Sequence, residues 1–430
     1  MLSKENFARG YLILFTISIY MYWFDLLDRM AMQYFLMSIL SIISFLIIPF
    51  IFKAKELKEA FLDKLSLVSL GFLLFAFLSI LNATNVIESF VKIGQFIAFY
   101  ISLLIIILFS RNKLVKTNFI LLIISITLII DLAASLSGYY DLYSKNIKYE
   151  YKYINNLLGL FGNRNILSVG LIFRLPFLIM LCLRLNKKFL YLITFIVASL
   201  VFFDVFLLSS RTVFLAIIIY FIFYLSVIIY RVIFLRTKFL HLNKNLILLL
   251  IIPLIIAYYS SNNLIESNDF ANVNSRVSSI ASSNDESKNR RLLFYGHAIS
   301  NLMNNPLLGC GIGNWRILSI KYDAENMENY VVPYNAHNDI LEAATETGIF
   351  GGILFLSFFL LLFYKLYEKL NINAVSGYGY EFLILAPLPL IVYFVDLNLN
   401  FPSYRPFNLY LLLLYIIVLY NSNPKFNERS

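Results

Sequence analysis

Apolar runs of about 17 to 22 residues recur along almost the whole chain, each closed by a short polar or basic break. No other feature restricts the fold so tightly. A run of this length crosses a hydrocarbon layer as a helix, because a membrane strand needs only about ten residues and alternates polar with apolar. The runs fall near 11–27, 31–52, 65–81, 91–109, 118–136, 166–183, 189–208, 212–230, 246–260, 348–364, 382–397 and 406–420, giving about twelve spans. Composition agrees: of 430 residues, 60% are hydrophobic and 14% charged, and the mean hydropathy is +0.77. Such values lie outside the range of soluble domains. The expected fold class is therefore an all-α integral membrane protein. No small-residue cleavage site follows the first run and a second run comes at once, so the first reads as a signal anchor.

The net charge of +10 does not point to nucleic acid, because the basic residues sit where topology needs them. Lys53, Lys55, Lys58 and Lys64 follow the second run, Arg111, Lys113 and Lys116 the fourth, and Arg184, Lys187 and Lys188 the sixth. Arg231, Arg236, Lys238 and Lys244 follow the eighth, and Lys365 and Lys369 the tenth. By the positive-inside rule these short loops and both termini are cytoplasmic, where the charge also favours anionic membrane lipids. The connections after odd-numbered runs then face outward. One of them, residues 261–347 between spans nine and ten, is far longer than the rest, and long loops are commonly functional.

Metal and disulfide chemistry find little support. The histidines His241, His297 and His337 are scattered, and no His or Cys pair has ligand spacing. Cys182 and Cys310 fall on opposite sides of the expected topology, so no bridge between them is expected. No cofactor is implied.

The outward loop has internal structure. Its Ser/Asn-rich beginning reads as a mobile segment, and RLLFYGHAISNLM reads as an amphipathic helix with Leu292, Tyr295, Ile299 and Leu302 on one face. Pro306, Gly309, Gly311 and Gly313 then mark a tight, irregular turn. A phosphate-cradling glycine loop is rejected because no strand precedes it. PYNAHNDILEAATETGIFGG follows, read as a helix capped by Asn335 and ending near Gly348, with His337, Ile340, Leu341 and Ala344 on one face. A neutral histidine in a helix's first turn is a proton acceptor; an interfacial polar residue is the plainer reading. A second polar island, DVFLLSSRTVFLA, puts Ser210 and Arg211 in an outward turn where arginine has no topogenic use, lipid phosphate being the plainer partner. Arg290 and Arg291 head the amphipathic helix on the same side. Guanidinium forks suit phosphate oxygens. Arg174 lies within the sixth run, where an unpaired cation costs several kcal/mol; Asp131 and Asp204 are its candidate partners, and an ion pair is preferred to a substrate contact.

Together, GLFGNRNILSVGL (159–171), LLSSRTVFLA (207–216), RLLFYGHAISNLMNNPLLGCGIGNW (291–315) and AHNDILEAATETGIFGG (336–352) resemble the O-antigen ligase and polymerase family. The pattern is a Ser-Arg turn, an Arg four before an aromatic, a Pro-Leu-Gly-x-Gly turn, and His-Asn followed by Glu-x-Gly-x-x-Gly. Tyr295 stands where Trp is often found, and Cys310 where a small aliphatic is usual. The resemblance implies a bacterial inner-membrane glycosyltransferase, working at the periplasmic face without metal on an undecaprenyl-diphosphate-linked glycan donor, with inversion at the anomeric carbon. It implies that Arg211 and Arg291 hold the diphosphate and that His337 takes the acceptor's proton. Arg290, Asn338, Asn165, Ser210 and Arg174 are the candidate substrate-binding residues. The acceptor is lipid A-core for a ligase, which is preferred, or a second lipid-linked glycan for a polymerase. The core so implied spans 159–367, between transmembrane regions 1–158 and 368–430. A transporter or flippase is the alternative from another class; it predicts two related halves and charged midplane helices, neither of which is apparent.

Overall fold

The computed structural model describes residues 3–21, 29–234, 244–265, 272–275, 286–323, 334–373, 382 and 384–421. His241, the expected mobile stretches 266–271 and 276–285, and residues 22–27 of the first expected span lie outside them. Among the described residues the regular structure is entirely helical. In chain order the longer helices are α1 (Lys4–Tyr20), α2 (Arg29–Ile51), α3 (Ala54–Phe61), α4 (Lys64–Leu78), α5 (Val86–Arg111), α6 (Thr117–Ser144), α7 (Arg164–Leu185), α8 (Lys188–Leu208), α9 (Arg211–Phe234), α10 (Ile252–Leu264), α11 (Glu286–Asn304), α12 (Trp315–Asp323), α13 (Asp339–Asn373), α14 (Pro387–Leu399) and α15 (Pro406–Asn421).

Among the described residues nine helices are long and apolar enough to cross a membrane, and α14 and α15 are shorter apolar helices at the eleventh and twelfth expected spans. The protein is thus a multi-pass membrane protein. Helix starts follow local chemistry. Asp63 caps α4 through Leu65 N, and Asn85 caps α5 through Ile87 N and Glu88 N. Asn163 caps α7 through Asn165 N and Ile166 N. Each side chain satisfies amides that have no partner within their own helix.

The chain divides into two compact units. The first comprises residues 1–116, 284–367 and 397–422; the second comprises 117–283, 368–396 and 423–430. In the first, Asp63 is a buried junction: Arg111 Nη1 lies 3.2 Å and Lys365 Nζ 3.6 Å from Oδ2, and the Tyr420 hydroxyl donates to Oδ1 at 2.6 Å. In the second, α7 is the central helix. Every side chain from Ile166 to Leu183 is buried, including Arg174. Arg174 pairs with Asp131 at 2.5 Å, both fully buried, and its Nε donates to Gly170 O at 2.8 Å. Asp204 instead accepts from Ser135 Oγ at 2.8 Å. Cys182 and Cys310 are both free, buried thiols.

Two local expectations are corrected. The helix after His337 is capped by Asn338, not Asn335: Leu341 N donates to Asn338 Oδ1 at 3.0 Å and Glu342 N to Asn338 O at 2.9 Å. His337 therefore precedes the helix, in left-handed backbone at φ 58°, and shares no helical face with Ile340, Leu341 or Ala344. As expected, the helix breaks at Gly348, a kink that leaves helical backbone (φ 80°, ψ 174°), and a second helical stretch runs on to Asn373. The apolar face of α11 is turned outward at Leu292 and Ile299, exposed at 57% and 48%, while Ala298 and Asn301 are buried.

The kink explains the glycine turn. A kinked helix leaves carbonyls without their usual i+4 amides. Here Cys310 N donates to Thr345 O and Gly311 N to Glu346 O, both at 3.0 Å, while Ile349 N donates to Pro306 O at 2.8 Å. The approach is so close that a Cβ on Gly309 would sit 2.5 Å from Thr345 O, and one on Gly348 2.1 Å from Leu307 O. The turn is held from its other side by residues 79–89: Ile312 N donates to Ser79 Oγ at 2.9 Å, Ser89 Oγ to Ile312 O at 2.7 Å, and Asn82 Nδ2 to Gly309 O at 3.1 Å.

Candidate functional site

The first unit builds a histidine site from three segments distant in sequence. His337 is half-buried, its ring parallel to Phe294 of α11 at 6.5 Å and edge-on to Phe401 at 5.3 Å. The Tyr295 hydroxyl lies 3.0 Å from both His337 O and Asn398 O, and donates to one at a time. Glu342 reaches back to accept from Ala336 N at 2.6 Å, and Asp339 accepts from Ser403 N at 2.8 Å. The carboxylates of the helix's first turn thus hold the two stretches of chain between which the imidazole stands, and that is how a non-glycine residue is kept in left-handed backbone.

Burial, and then the positive charge of Arg291, push His337 down from its ordinary 6.5 to about 4; a hydrogen bond with the Leu399 backbone opposes them. The neutrality expected of a first-turn histidine is therefore present, with a different cause. Nδ1 is buried and has no hydrogen-bond partner among the described residues. A neutral imidazole beside a fixed cation is a base beside an anion-binding group.

Arg291 is half-buried and one turn before Tyr295, while Arg290 is exposed. Burial raises the Tyr295 hydroxyl, keeping it a donor. The side-chain oxygen of Asn338 is engaged in its cap.

The second unit brings two other predicted residues together. Ser210 Oγ donates to Asn165 Oδ1 at 3.0 Å, joining the Ser-Arg turn to the head of α7. Ser209, in left-handed backbone at φ 49°, ends α8, so that α9 begins at Arg211 after only two residues. Arg211 therefore stands at the positive end of a helix, where a cation costs a few tenths of a kcal/mol or more. Helix stability does not explain it. Arg174 is held with Asp131 inside the same unit.

Sequence reasoning misses Phe294, Phe401 and the 397–406 segment. FPSYRPF, with prolines near both ends and an arginine between two apolar runs, carries the same kind of signal as the Ser-Arg turn. It also misses Lys92, a single lysine in an apolar run, buried at 3% exposure. Among the described residues no group of three or more His, Cys, Asp or Glu is placed to hold a metal ion.

Comparison with curated proteins gave no match. Residues 196–356 match the family described as O-antigen ligase, a stretch that contains Arg211, Arg291, the glycine turn and His337. Over residues 196–356 the chain is thus similar to the O-antigen ligase family.

Proposed function

We propose that the protein is a membrane glycosyltransferase that moves a glycan from a polyprenyl-diphosphate carrier to an acceptor hydroxyl at the periplasmic face of a bacterial inner membrane. The observation that carries this reading is the buried Nδ1 of His337 within the field of Arg291. His337 removes the acceptor proton as the oxygen attacks the anomeric carbon. The C–O bond to the diphosphate breaks in the same displacement, which inverts the anomeric centre. Arg291 stabilises the departing diphosphate, a role a fixed guanidinium fills without a metal. Arg211 is assigned a second diphosphate contact on the sequence motif, and its own substitution tests it.

Of the two acceptors a shared mechanism allows, we prefer lipid A-core, which makes the protein a ligase. A repeat-unit polymerase uses the same donor and the same three side chains, and differs in the acceptor. Incubation of the purified protein with a polyprenyl-diphosphate glycan and each acceptor in turn separates the two. A single addition to lipid A-core supports the ligase and a ladder of lengths supports the polymerase. No transfer to either acceptor contradicts both.

A further inference from the structure

Lys92 lies on α5, outside the region matched to the family, and the mechanism above does not use it. It is 3% exposed, and its Nζ has no hydrogen-bond partner among the described residues. The ammonium stands 2.9 Å from the centroid of the Tyr404 ring, a cation–π contact. Three carboxylates, Glu346, Glu342 and Asp339, act on it electrostatically, as does Arg316. Arg316 is itself paired with Glu88 at 3.5 Å.

Each of those carboxylates holds a backbone amide that shapes the histidine site. Glu342 holds Ala336 N and Asp339 holds Ser403 N. Glu346 Oε1 accepts from Trp315 N at 2.9 Å, beside the glycine turn, and the Tyr404 hydroxyl donates to Oε2 at 3.4 Å. Glu342 and Glu346 are each 1% exposed. Buried carboxylates on successive turns of one helix repel, and burying them together is costly without a cation among them.

We propose that Lys92 is a positioning residue of this site: its buried ammonium is the counter-charge that lets Glu342 and Asp339 hold the 336–338 and 401–403 segments around His337 while Glu346 holds Trp315 N and the Tyr404 hydroxyl. It touches neither donor nor acceptor. The inference rests on the reading of His337 as the base, and its test keeps the two apart.

The test uses full-length protein in lipid nanodiscs, with Lys92→Met, Glu346→Gln and the double variant. The amide introduced by Glu346→Gln keeps an oxygen for Trp315 N, so the double variant removes one positive and one negative charge without deleting that hydrogen bond. Two quantities are read: glycan transfer, and the pH midpoint of His337 carbethoxylation by diethyl pyrocarbonate, with His337→Ala as the blank. Lys92→Met should slow transfer about tenfold or more, as expected of a misplaced base, and raise the His337 midpoint by about one pH unit. The double variant should recover most of both. A Lys92→Met protein with wild-type rate and midpoint overturns the proposal, and so does a double variant no better than Lys92→Met. Should Lys92→Met fail to accumulate, a double variant that accumulates with the wild-type midpoint supports the assignment, and failure of both overturns it. If the midpoints follow this pattern while even the wild-type protein transfers nothing, the transferase reading fails and the Lys92 assignment stands.

Discussion

The Tyr295 hydroxyl meets the backbone carbonyl of His337 at 3.0 Å. That contact fixes where α11 stands along the histidine segment, and Arg291, one turn earlier on the same helix, acts electrostatically on the imidazole. The spacing of an arginine four residues before an aromatic is thereby given a physical purpose. The aromatic anchors the helix by its hydroxyl, and the arginine follows at the distance of one helical turn.

The pH dependence of transfer follows from this pair. His337 has its folded-state value pushed down to about 4 from 6.5, so it remains a neutral base throughout the neutral range. The acid limb of kcat/KM is expected near 4. For stability the sign is opposite to that of an ion-paired histidine. As pH falls through 6.5 the unfolded chain takes up the proton first, so His337 destabilises the fold between about 6.5 and 4 and adds nothing further below. Arg291→Gln removes the cation that disfavours the imidazolium, and its His337 midpoint should rise. An acid limb near 6.5 in the wild-type protein contradicts the assignment.

Arg291→Lys and Arg211→Lys should each impair transfer by about tenfold or more although the charge is kept, because the planar fork that binds two phosphate oxygens is lost. Steady-state rates with a polyprenyl-diphosphate glycan at matched protein abundance check this. Near-normal rates in both variants reduce the arginines to general charge attraction.

Gly348→Ala should cost about 2 kcal/mol or more and abolish transfer, since a methyl group there meets Leu307 O at 2.1 Å in a backbone conformation that alanine disfavours. Thermal unfolding in detergent measures the loss. Gly296→Ala is the control, because a Cβ at Gly296 finds nothing within 4 Å.

Much of this fold is legible because the membrane imposes it. Hydrocarbon thickness fixes run length, so helices such as α7, α8 and α9 lie where the apolar runs lie. The face of α11 is hard to read for a related reason. Against lipid, apolarity does not mark the inward side, so Leu292 and Ile299 stand exposed while Asn301 is buried, donating to Thr345 O at 3.2 Å. The cap after His337 is ambiguous in sequence because Asn335 and Asn338 are equally good caps by residue type. Only the hold of Glu342 on Ala336 N, with Tyr295 set against His337 O, decides between them. The helix break at Gly348 is legible from the glycine, whereas its completion by amides from the 306–311 turn is not. Phe401 and Lys92 escape a reading of the sequence because their partners lie tens to hundreds of residues away.

The Arg174–Asp131 pair gives a prediction in the second unit. Removing one member leaves a buried charge, so Arg174→Met alone should destabilise by about 3–5 kcal/mol. The double variant with Asp131→Leu should recover most of that loss. Unfolding midpoints in a single detergent compare the three proteins. A double variant as unstable as Arg174→Met means the two side chains contribute through packing and not as a pair.

The central claim is that His337 is the general base, and the most direct measurement is glycan transfer by purified His337→Ala, reconstituted at wild-type abundance with a polyprenyl-diphosphate donor and acceptor. The account predicts a fall of about a hundredfold or more, with abundance and thermal unfolding unchanged. Transfer at the wild-type rate contradicts it.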